Sequence, residues 1–468
     1  MSLRWVLSGI PKFCSGGSSH NLCKSKMTLY NCKTNTYTVS ESGSSPLSEG
    51  RHFVAPSSKI RNTVCIVGLG YVGLPLAEAF SHHVATLGFD IDERKVKSLQ
   101  KTTPEIHATS DPARIRDADF IMICVPTLLT AECNPDLSYI RSAATIVGSN
   151  MKKGAVVILE STVYPGVTEE VLCPILEEAS GLFAGRDFSV GYSPERINPG
   201  DDEHALSRTT KIVAGQDPAT TSRMKEIYSL ITTVYCAPDI RTAEAAKVVE
   251  NIQRDINIAL INEFSQMFPK LGLNTKHVLE AAGTKWNFHH YTPGIVGGHC
   301  IPTVPHFLAY AARLRGFHPK MILAGRATND QMIPFIADLV TGNLTKGKSD
   351  SAKPKITVLG LTYKENVPDC RDNPVFDLIR VLNEWGITVF GYDPLLTTEE
   401  IARLGVSPLD DIRKQMDGYV LAAPHKQFID MADNELAAVS GPDVLFVDIK
   451  GVFHKNAKMR SQFRYITL

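Results

Sequence analysis

A single cysteine, Cys300, lies between a pair of glycines and a pair of prolines in the sequence VGGHCIPTVPHF. Gly297 and Gly298 would let the backbone approach a bulky group. Pro302 and Pro305 would restrict a loop around the thiol. A thiolate held in this way can add to an aldehyde carbon and carry its oxidation to a thioester, provided that a nearby cation or N–H donor favours ionisation. From this stretch alone, an inert buried thiol remains the alternative.

Lys247 and Asn251 form a second candidate pair, four residues apart in a helical pattern and therefore on one helix face. Apolar residues surround them in the sequence. A lysine in that setting can hold a developing oxyanion, while the amide orients a water molecule. A solvated polar stripe on the helix is the alternative from spacing alone.

A glycine-rich turn, GLGYVG, follows a predicted strand and opens a predicted helix. Its first glycine makes the tight turn, its second lets the backbone approach a pyrophosphate, and its third lets the helix pack on the strand. The free N–H groups of the helix N-terminus favour that anion. Asp90 ends the next strand, where it would accept hydrogen bonds from ribose hydroxyls and repel a 2′-phosphate. The sequence therefore predicts an NAD site at Gly68, Gly70, Gly73 and Asp90, with an unliganded glycine turn as the alternative.

The elements that would hold these residues belong to an α/β fold. Short apolar runs that end in turn residues predict buried parallel strands. We predict two doubly wound Rossmann-like domains joined by a long central helix and a helical dimerisation domain. The predicted boundaries are 1–58 for a disordered or targeting extension, 59–236 for an NAD-binding domain, 237–345 for the central domain with the cysteine loop, and 354–468 for a second α/β domain.

The long helix is predicted over residues 241–272, with a span of about 45 Å for thirty residues. Such a helix would connect the two α/β domains and pair with a second subunit. Its apolar residues recur at helical spacing and are Val249, Ile252, Ile256, Leu260, Phe264 and Met267.

Composition excludes several classes of partner. The 468 residues contain 49 Lys plus Arg and 49 Asp plus Glu, so the net charge of zero gives no indication of nucleic-acid or membrane-surface binding. No apolar run approaches the roughly 20 residues that span a bilayer. The ten cysteines lack a CxxC pair, which is typical of a reducing compartment. We expect a cytoplasmic protein, with an organelle transit signal in residues 1–50 as the alternative.

No metal site is predicted. Four histidines crowd around the cysteine, but their spacing matches no familiar metal centre, so we interpret them as polar loop residues. They are His289, His290, His299 and His306.

Several segments together resemble the UDP-glucose/GDP-mannose dehydrogenase family, and within it the UDP-N-acetylhexosamine 6-dehydrogenases. They are VGLGYVGLPLA, ESTVYPGVTEE, GYSPERINPGD, EAAKVVENIQRDINIALINE, the run from KWNF to PGIVGGHCIP, and VLGLTYKENVPDCRDNP. The resemblance extends from about residue 60 to 455. It implies a four-electron oxidation of a sugar C6 alcohol to a carboxylate with two NAD, a UDP-binding C-terminal domain, a UDP-N-acetylhexosamine substrate and a homodimer or higher homo-oligomer.

The resemblance also implies roles for individual residues. Cys300 would be the nucleophile, Lys247 and Asn251 would stabilise the oxyanion and position water, and Glu195 and Thr162 would line the reaction centre. The implied cofactor-binding residues are Gly68, Gly70, Tyr71, Val72, Gly73, Asp90, Pro126, Thr127 and Arg371. The implied substrate-binding residues are Arg196, Lys364, Gly297 and Gly298.

Two positions depart from the family's pattern. Val304 replaces an aspartate four residues after the cysteine, and Thr292 replaces an arginine before the loop. Loss of a general acid–base group typically slows a reaction by about 10²–10⁴-fold. The alternative function is therefore a relative with impaired catalysis that binds nucleotide sugar and NAD. A simple aldehyde dehydrogenase is disfavoured, because it would leave the second α/β domain without a role.

Overall fold

A computed structural model describes residues 62–196, 206–298, 300–344, 353–432 and 434–468. The predicted extension (1–58) and His299 lie outside these residues. The seven cysteines within them are free thiols, and no three His, Cys, Asp or Glu side chains there form a metal site. None of the helices described is both long and apolar enough to cross a bilayer.

The first α/β domain is built on an eight-stranded sheet. The strands of this domain are β1 (Thr63–Val67), β2 (Ala85–Phe89), β3 (Ala108–Thr109), β4 (Phe120–Ile123), β5 (Leu128–Leu129), β6 (Pro135–Asp136), β7 (Val156–Leu159), β8 (Ser189–Tyr192), β9 (Lys211–Gly215) and β10 (Val234–Cys236). Its helices are α1 (Gly73–Ser81), α2 (Glu93–Thr102), α3 (Ser138–Asn150), α4 (Cys173–Ser180) and α5 (Pro218–Tyr228).

The sheet order is β10-β9-β8-β7-β4-β1-β2-β3, while β5 and β6 form a separate hairpin. All neighbours in this sheet are parallel except β8 and β9, which run antiparallel. Strands such as β4 and β7 are buried along their whole length because helices cover both faces. The strand order reverses between β1 and β4, and ligands bind at the carboxyl ends of strands at such a switch point.

The central region is helical. Its elements are α6 (Ile240–Met267), α7 (Thr275–Ala282), α8 (Cys300–Leu314), α9 (Lys320–Asp330) and α10 (Met332–Leu344). The Asp239 side chain caps α6 by accepting a hydrogen bond from the Thr242 N–H. The predicted long helix is thus present, but it ends at Met267 and a short 3₁₀ turn follows it.

The cysteine does not lie in the predicted loop. Cys300 is the first residue of α8, and both prolines lie inside that helix. Pro302 occupies the first turn, where a missing N–H costs nothing. Pro305 lies deeper and removes the N–H that would otherwise bond to the Ile301 carbonyl.

The second α/β domain carries a six-stranded sheet in the order β13-β12-β11-β14-β15-β16, with every pair parallel. Its strands are β11 (Lys355–Leu359), β12 (Thr388–Tyr392), β13 (Ser407–Pro408), β14 (Gly418–Leu421), β15 (Gly441–Asp448) and β16 (Phe463–Thr467). Its helices are α11 (Val375–Glu384), α12 (Thr398–Arg403), α13 (Lys426–Met431), α14 (Glu435–Ala438) and α15 (Ala457–Gln462). The predicted fold class, two doubly wound domains around a long central helix, is confirmed.

Candidate active site

Close backbone contacts shape the glycine turn between β1 and α1. Gly68 adopts a φ of +93°, and a Cβ there would lie 2.9 Å from the Cys124 carbonyl oxygen. A Cβ on Gly73 would lie 1.9 Å from the Gly68 carbonyl oxygen. Both positions therefore require glycine. A Cβ on Gly70 would meet no described atom within 4 Å, so this glycine borders open space where a pyrophosphate would fit.

Asp90 is almost wholly buried at the end of β2. Its Oδ2 accepts hydrogen bonds from the Leu69 N–H (2.9 Å) and the Lys95 ammonium (2.8 Å). Its Oδ1 accepts one from the Asp92 N–H (2.9 Å). Burial acts to raise the pKa of this carboxyl, but the hydrogen bonds, led by that from Lys95, outweigh burial and lower the pKa. The group is therefore an ionised acceptor, as recognition of ribose hydroxyls requires.

Two other predicted cofactor residues, Pro126 and Thr127, follow β4. Since β4 pairs with β1, they lie at the same carboxyl edge as the glycine turn. Thr127 is buried and Pro126 is exposed. The predicted cofactor residues of the first domain therefore converge on the switch point of its sheet.

Tyr71 and Arg371 meet between the two α/β domains. The Arg371 guanidinium lies 5.0 Å from the centre of the Tyr71 ring and is also paired with Asp369 at 2.6 Å. Burial and a hydrogen bond with Tyr363 raise the pKa of Tyr71. These contacts bring the predicted cofactor residue of the second domain to the glycine turn of the first.

The Cys300 thiol lies at the N-terminus of α8, where free N–H groups favour a thiolate. Although the residue is exposed, desolvation by the surrounding protein raises the pKa of its thiol. Lys247 acts to lower that pKa, whereas Glu195 and Asp372 add to the rise. The thiol is therefore within electrostatic reach of two residues that the sequence predicted as its partners, and it is largely protonated at neutral pH.

Asn251 follows Lys247 by one turn of α6, and Lys247 is itself buried. The Nδ2 atom of Asn251 is buried and has no hydrogen-bond partner among the residues described. A buried amide donor left unpaired costs about 1–3 kcal/mol. An oxygen atom of a ligand or a water molecule would satisfy this group, which fits the role predicted for Asn251.

Val304 lies one turn after Cys300 in α8 and is 2% exposed. It packs against Val248 and Ile252 of α6 and against Phe307. The position at which the resemblance implies an aspartate is thus an apolar contact between two helices. A carboxylate there would be buried among hydrophobic side chains.

Thr162 lies half-buried after β7, in a loop that Glu244 fastens to α6. The Glu244 carboxylate accepts hydrogen bonds from the Gly166 N–H (2.5 Å), the Thr168 N–H (2.9 Å) and the Thr168 hydroxyl (2.7 Å). Burial nevertheless raises the pKa of Glu244 to about 7. Because Glu244 precedes Lys247 by one helical turn, it connects this loop to the functional face of α6.

Glu195 and Arg196 follow β8. Arg196 donates a hydrogen bond to the Thr210 carbonyl (2.6 Å) and pairs with Glu250 of α6 (2.8 Å). One carboxylate oxygen of Glu195 lies 3.8 Å from the Lys211 ammonium. Since these contacts engage the Arg196 side chain within the protein, its contact with a substrate stays a prediction.

Gly297 and Gly298 bring the chain before the thiol against the second α/β domain. A Cβ on Gly298 would lie 3.1 Å from the Tyr363 ring, and one on Gly297 would lie 2.9 Å from Pro374. Lys364 belongs to the same segment of that domain. Both glycines therefore allow close packing between the domains, and their contact with a substrate stays a prediction.

Sequence comparisons identify the family. The NAD binding domain of the UDP-glucose/GDP-mannose dehydrogenase family matches residues 62–110 and 105–232, its central domain matches 241–331, and its UDP binding domain matches 357–455. The chain belongs to this family.

Several members of the family are similar to this chain over most of its length. Protein CapL of Staphylococcus aureus is 41% identical to it over 420 residues, which cover 86% of this chain and 99% of CapL. The UDP-N-acetyl-D-glucosamine 6-dehydrogenase of Pseudomonas aeruginosa is 39% identical over 83% of this chain and 96% of its own. A solved UDP-D-ManNAc dehydrogenase structure from Pyrococcus horikoshii superposes with a TM-score of 0.75 at 28% identity, covering 86% and 98% of the two chains.

Membership of the dehydrogenase family establishes an oxidoreductase whose cofactor is NAD. The glycine turn and Asp90 lie within the matched NAD binding domain, and the open space beside Gly70 fits the group. When bound, NAD accepts hydride. The turn shaped by Gly68 and Gly73 would hold its pyrophosphate beside Gly70, and Asp90 would hold its ribose.

Sequence reasoning missed four charged residues of the site region. Glu160 and Glu244 each begin a segment that carries the family resemblance, but neither was given a role; Lys95 and Lys211 lie outside those segments. Glu160 follows a wholly buried strand and Lys211 begins another. A charge directly beside a buried strand was the available signal, because such a charge must find a partner inside the protein.

Proposed function

We propose that the protein oxidises the C6 alcohol of a UDP-N-acetylhexosamine to the uronate with two equivalents of NAD. The Pseudomonas aeruginosa relative is named as such a dehydrogenase for UDP-N-acetyl-D-glucosamine. The observation that carries the proposal is the placement of the Cys300 thiol at a helix N-terminus within electrostatic reach of Lys247 and Glu195. Oxidation of the alcohol to the aldehyde needs no nucleophile, whereas such a thiol can carry the aldehyde on to the carboxylate through a covalent intermediate.

The residues would act in sequence at one carbon. The first oxidation yields the C6 aldehyde. The Cys300 thiol then releases its proton to solvent as its sulfur adds to that carbon, and Lys247 stabilises the oxyanion that replaces the carbonyl bond. The second oxidation removes a hydride from the same carbon, for which the second NAD is the acceptor, and leaves a thioester. Asn251 and Glu195 would orient the water whose oxygen replaces the sulfur, which releases the carboxylate and returns the thiol.

The three predicted domains would have separate roles. Residues 59–236 would bind NAD, residues 237–345 would carry the reacting side chains, and residues 354–468 would bind the UDP group through Lys364. The matched UDP binding domain supports the last assignment. Arg371, which touches the glycine turn through Tyr71, would contact the cofactor.

The alternative, a relative with impaired turnover, finds no support in the comparisons, because the relatives are named as dehydrogenases. Val304 does lack the acid–base capacity of an aspartate. In the structure Val304 is part of the apolar contact between α6 and α8, the helices that carry Lys247, Asn251 and Cys300.

The direct test of the proposed function is the NADH yield per UDP-sugar consumed. Purified protein is incubated with NAD and limiting UDP-GlcNAc or UDP-GalNAc, and the products are separated by mass. Two NADH per sugar and a uronate product are expected. The absence of NADH with every UDP-sugar would reject the proposal, and tight UDP-sugar binding without turnover would favour the alternative.

We also propose that two copies associate through α6. Three large apolar side chains of this helix remain exposed, namely Val249 (55%), Leu260 (48%) and Met267 (39%). All three belong to the six residues whose spacing predicted an apolar stripe, whereas Ile252 of that set is buried. A row of this kind along a 28-residue helix is typical of a surface that a second subunit covers.

A further inference from the structure

A buried charged cluster lies beneath the segment that carries Glu195. Lys211 and Glu160 are 1% and 0% exposed, and Tyr228 is wholly buried beside them. The Lys211 ammonium donates to one oxygen of Glu160, and the Tyr228 hydroxyl donates to the other. The ammonium also lies 5.7 Å from the centre of the Tyr228 ring. Both carboxylate oxygens of Glu160 therefore accept a hydrogen bond within the cluster.

Sheet topology explains why these residues meet. Strand β8 lies between β7, which is parallel to it, and β9, which is antiparallel. Glu160 follows the last residue of β7, and Lys211 is the first residue of β9. Both consequently lie at the edge where β8 ends and the chain continues through Ser193, Pro194 and Glu195.

Lys211 contacts that continuing segment directly. Its ammonium donates a hydrogen bond to the Pro194 carbonyl at 2.9 Å and lies 3.8 Å from Glu195 Oε2. Burial alone would lower the pKa of this lysine, but Glu160 and Glu195 outweigh it and raise the pKa. The cation thus persists inside the protein and faces two carboxylates at once.

Stability alone does not explain this arrangement. A buried ion pair is expensive to desolvate, and well-packed apolar side chains at such positions are often as stable or more stable. Apolar side chains could not hold the Pro194 carbonyl or attract the Glu195 carboxylate. The feature specific to Lys211 is its simultaneous hold on the backbone and the side chain of a predicted catalytic segment.

We propose that Lys211, neutralised by Glu160, is a positioning residue that fixes Glu195 toward the Cys300 thiol. The inference rests on the proposed function, in which Glu195 orients the water that attacks the thioester. Glu195 already acts on the thiol electrostatically. Its orientation should therefore affect the reaction at that carbon more than the binding of UDP-sugar and NAD.

The test separates positioning from folding. Lys211→Met alone would leave Glu160 buried without its cation, so the main variant is Glu160→Gln/Lys211→Met, which removes both charges. We expect kcat to fall at least tenfold while KM for UDP-sugar and for NAD changes less than threefold. In a Glu195→Gln background, the double change should cause little further loss. Lys152→Met, which breaks a part-exposed pair with Asp119, is the matched control.

A wild-type kcat in the folded double variant would overturn the inference, as would a loss additive with Glu195→Gln or confined to KM. A wild-type protein that produces no NADH would instead reject the proposed function. Hydrogen exchange then tests positioning without turnover. The double variant should exchange faster at Ser193, Glu195 and Arg196 while β7 and β9 stay protected, and unchanged exchange at these amides would contradict the proposal.

Discussion

At the residue scale, the reactivity of Cys300 is set by opposing neighbours. Desolvation, Glu195 and Asp372 raise the pKa of its thiol, while Lys247 and the N-terminus of α8 favour the thiolate. Cys300 and Lys247 were predicted from motif and helical spacing. Asp372 was not, because its proximity to the thiol depends on packing between domains.

Alkylation of Cys300 by iodoacetamide should report this balance. Because the thiol pKa is raised, the rate should climb about tenfold per pH unit from 7 to 9 without a plateau. Lys247→Met should slow alkylation roughly tenfold at pH 8, since removing a nearby cation raises a thiol pKa by about one unit or more. Peptide mass spectrometry measures the rate at this cysteine.

Lys270→Met is the control for that series, since Lys270 lies beyond the C-terminal end of α6, about 34 Å from Lys247 along the axis. Cys300 of this variant should be alkylated at the wild-type rate. A plateau below pH 8, or faster alkylation in Lys247→Met, would contradict the account of the thiol.

The raised pKa of Glu244 predicts that the free energy of unfolding depends on pH. Its pKa of about 7 in the folded protein exceeds its ordinary value, so the folded state binds its proton more tightly than the unfolded state. The stabilisation from this proton is complete below the unfolded pKa and is lost as the pH rises through 7. Stability should therefore fall between pH 5 and pH 8, by about 3 kcal/mol at most.

Urea unfolding of the wild type and of Glu244→Gln at pH 5 to 8 tests this. The Gln variant cannot titrate at that position, so its unfolding free energy should depend less on pH. Glu169→Gln, an exposed neighbour, should retain the wild-type profile. Parallel profiles for the wild type and Glu244→Gln would refute the assignment.

At the element scale, a buried polar chain holds the segment before α8. Asn262 of α6 donates to the Gly294 carbonyl (3.0 Å) and accepts from the Gly294 N–H (2.8 Å). It also donates to Asn329 of α9 (2.8 Å), which in turn donates to Asp255 (2.8 Å). Helical periodicity predicted α6, but it could not show which of its polar residues points inward.

Removal of the Asn262 side chain from this buried polar chain should loosen the backbone before Cys300. Asn262→Ala leaves both polar groups of Gly294 unpaired, at a cost of about 1–3 kcal/mol for each group that stays buried. Hydrogen exchange in residues 294–298 should become at least tenfold faster. Asn257→Ala is the matched control, because that side chain donates to the Gln253 carbonyl of its own helix. Unchanged hydrogen exchange in folded Asn262→Ala would contradict the claim that Asn262 holds this segment.

At the scale of the whole molecule, the two α/β domains repeat one turn. In the first, the Gly68 N–H bonds to the Phe89 carbonyl (2.8 Å) and the Leu69 N–H to Asp90. In the second, the Gly360 N–H bonds to the Tyr392 carbonyl (2.9 Å) and the Leu361 N–H to Asp393 (2.6 Å). The two turns thus use the same backbone contacts and the same acidic partner.

The second turn differs in what surrounds its carboxylate. His425, wholly buried, lies 3.0 Å from Asp393. The partner of Asp393 is thus a buried histidine, whereas the partner of Asp90 is the part-exposed ammonium of Lys95. The strand pattern and the glycine turn made the fold predictable from the sequence. The charged clusters, the partner of Asp393 and the helical setting of Cys300 were not predictable, since each depends on residues far apart in the chain.

Self-association is testable at this scale. Light scattering of the wild type should give about twice the chain mass of 51.3 kDa, or a higher multiple. Leu260→Asp places a charge on the exposed apolar side of α6 and should yield monomers. Leu404→Asp, at a comparably exposed apolar position in the second α/β domain, should not. A monomeric wild type would exclude the proposed contact.

The central claim, covalent catalysis by Cys300, is tested most directly by intact mass after mixing with NAD and UDP-N-acetylhexosamine. Glu195→Gln should slow hydrolysis and accumulate an adduct of the nucleotide sugar, mapped by peptide analysis to Cys300. The same variant with Cys300→Ser should show no such thioester. Full turnover to the uronate by the Cys300→Ala enzyme, without any adduct in Glu195→Gln, would contradict the account.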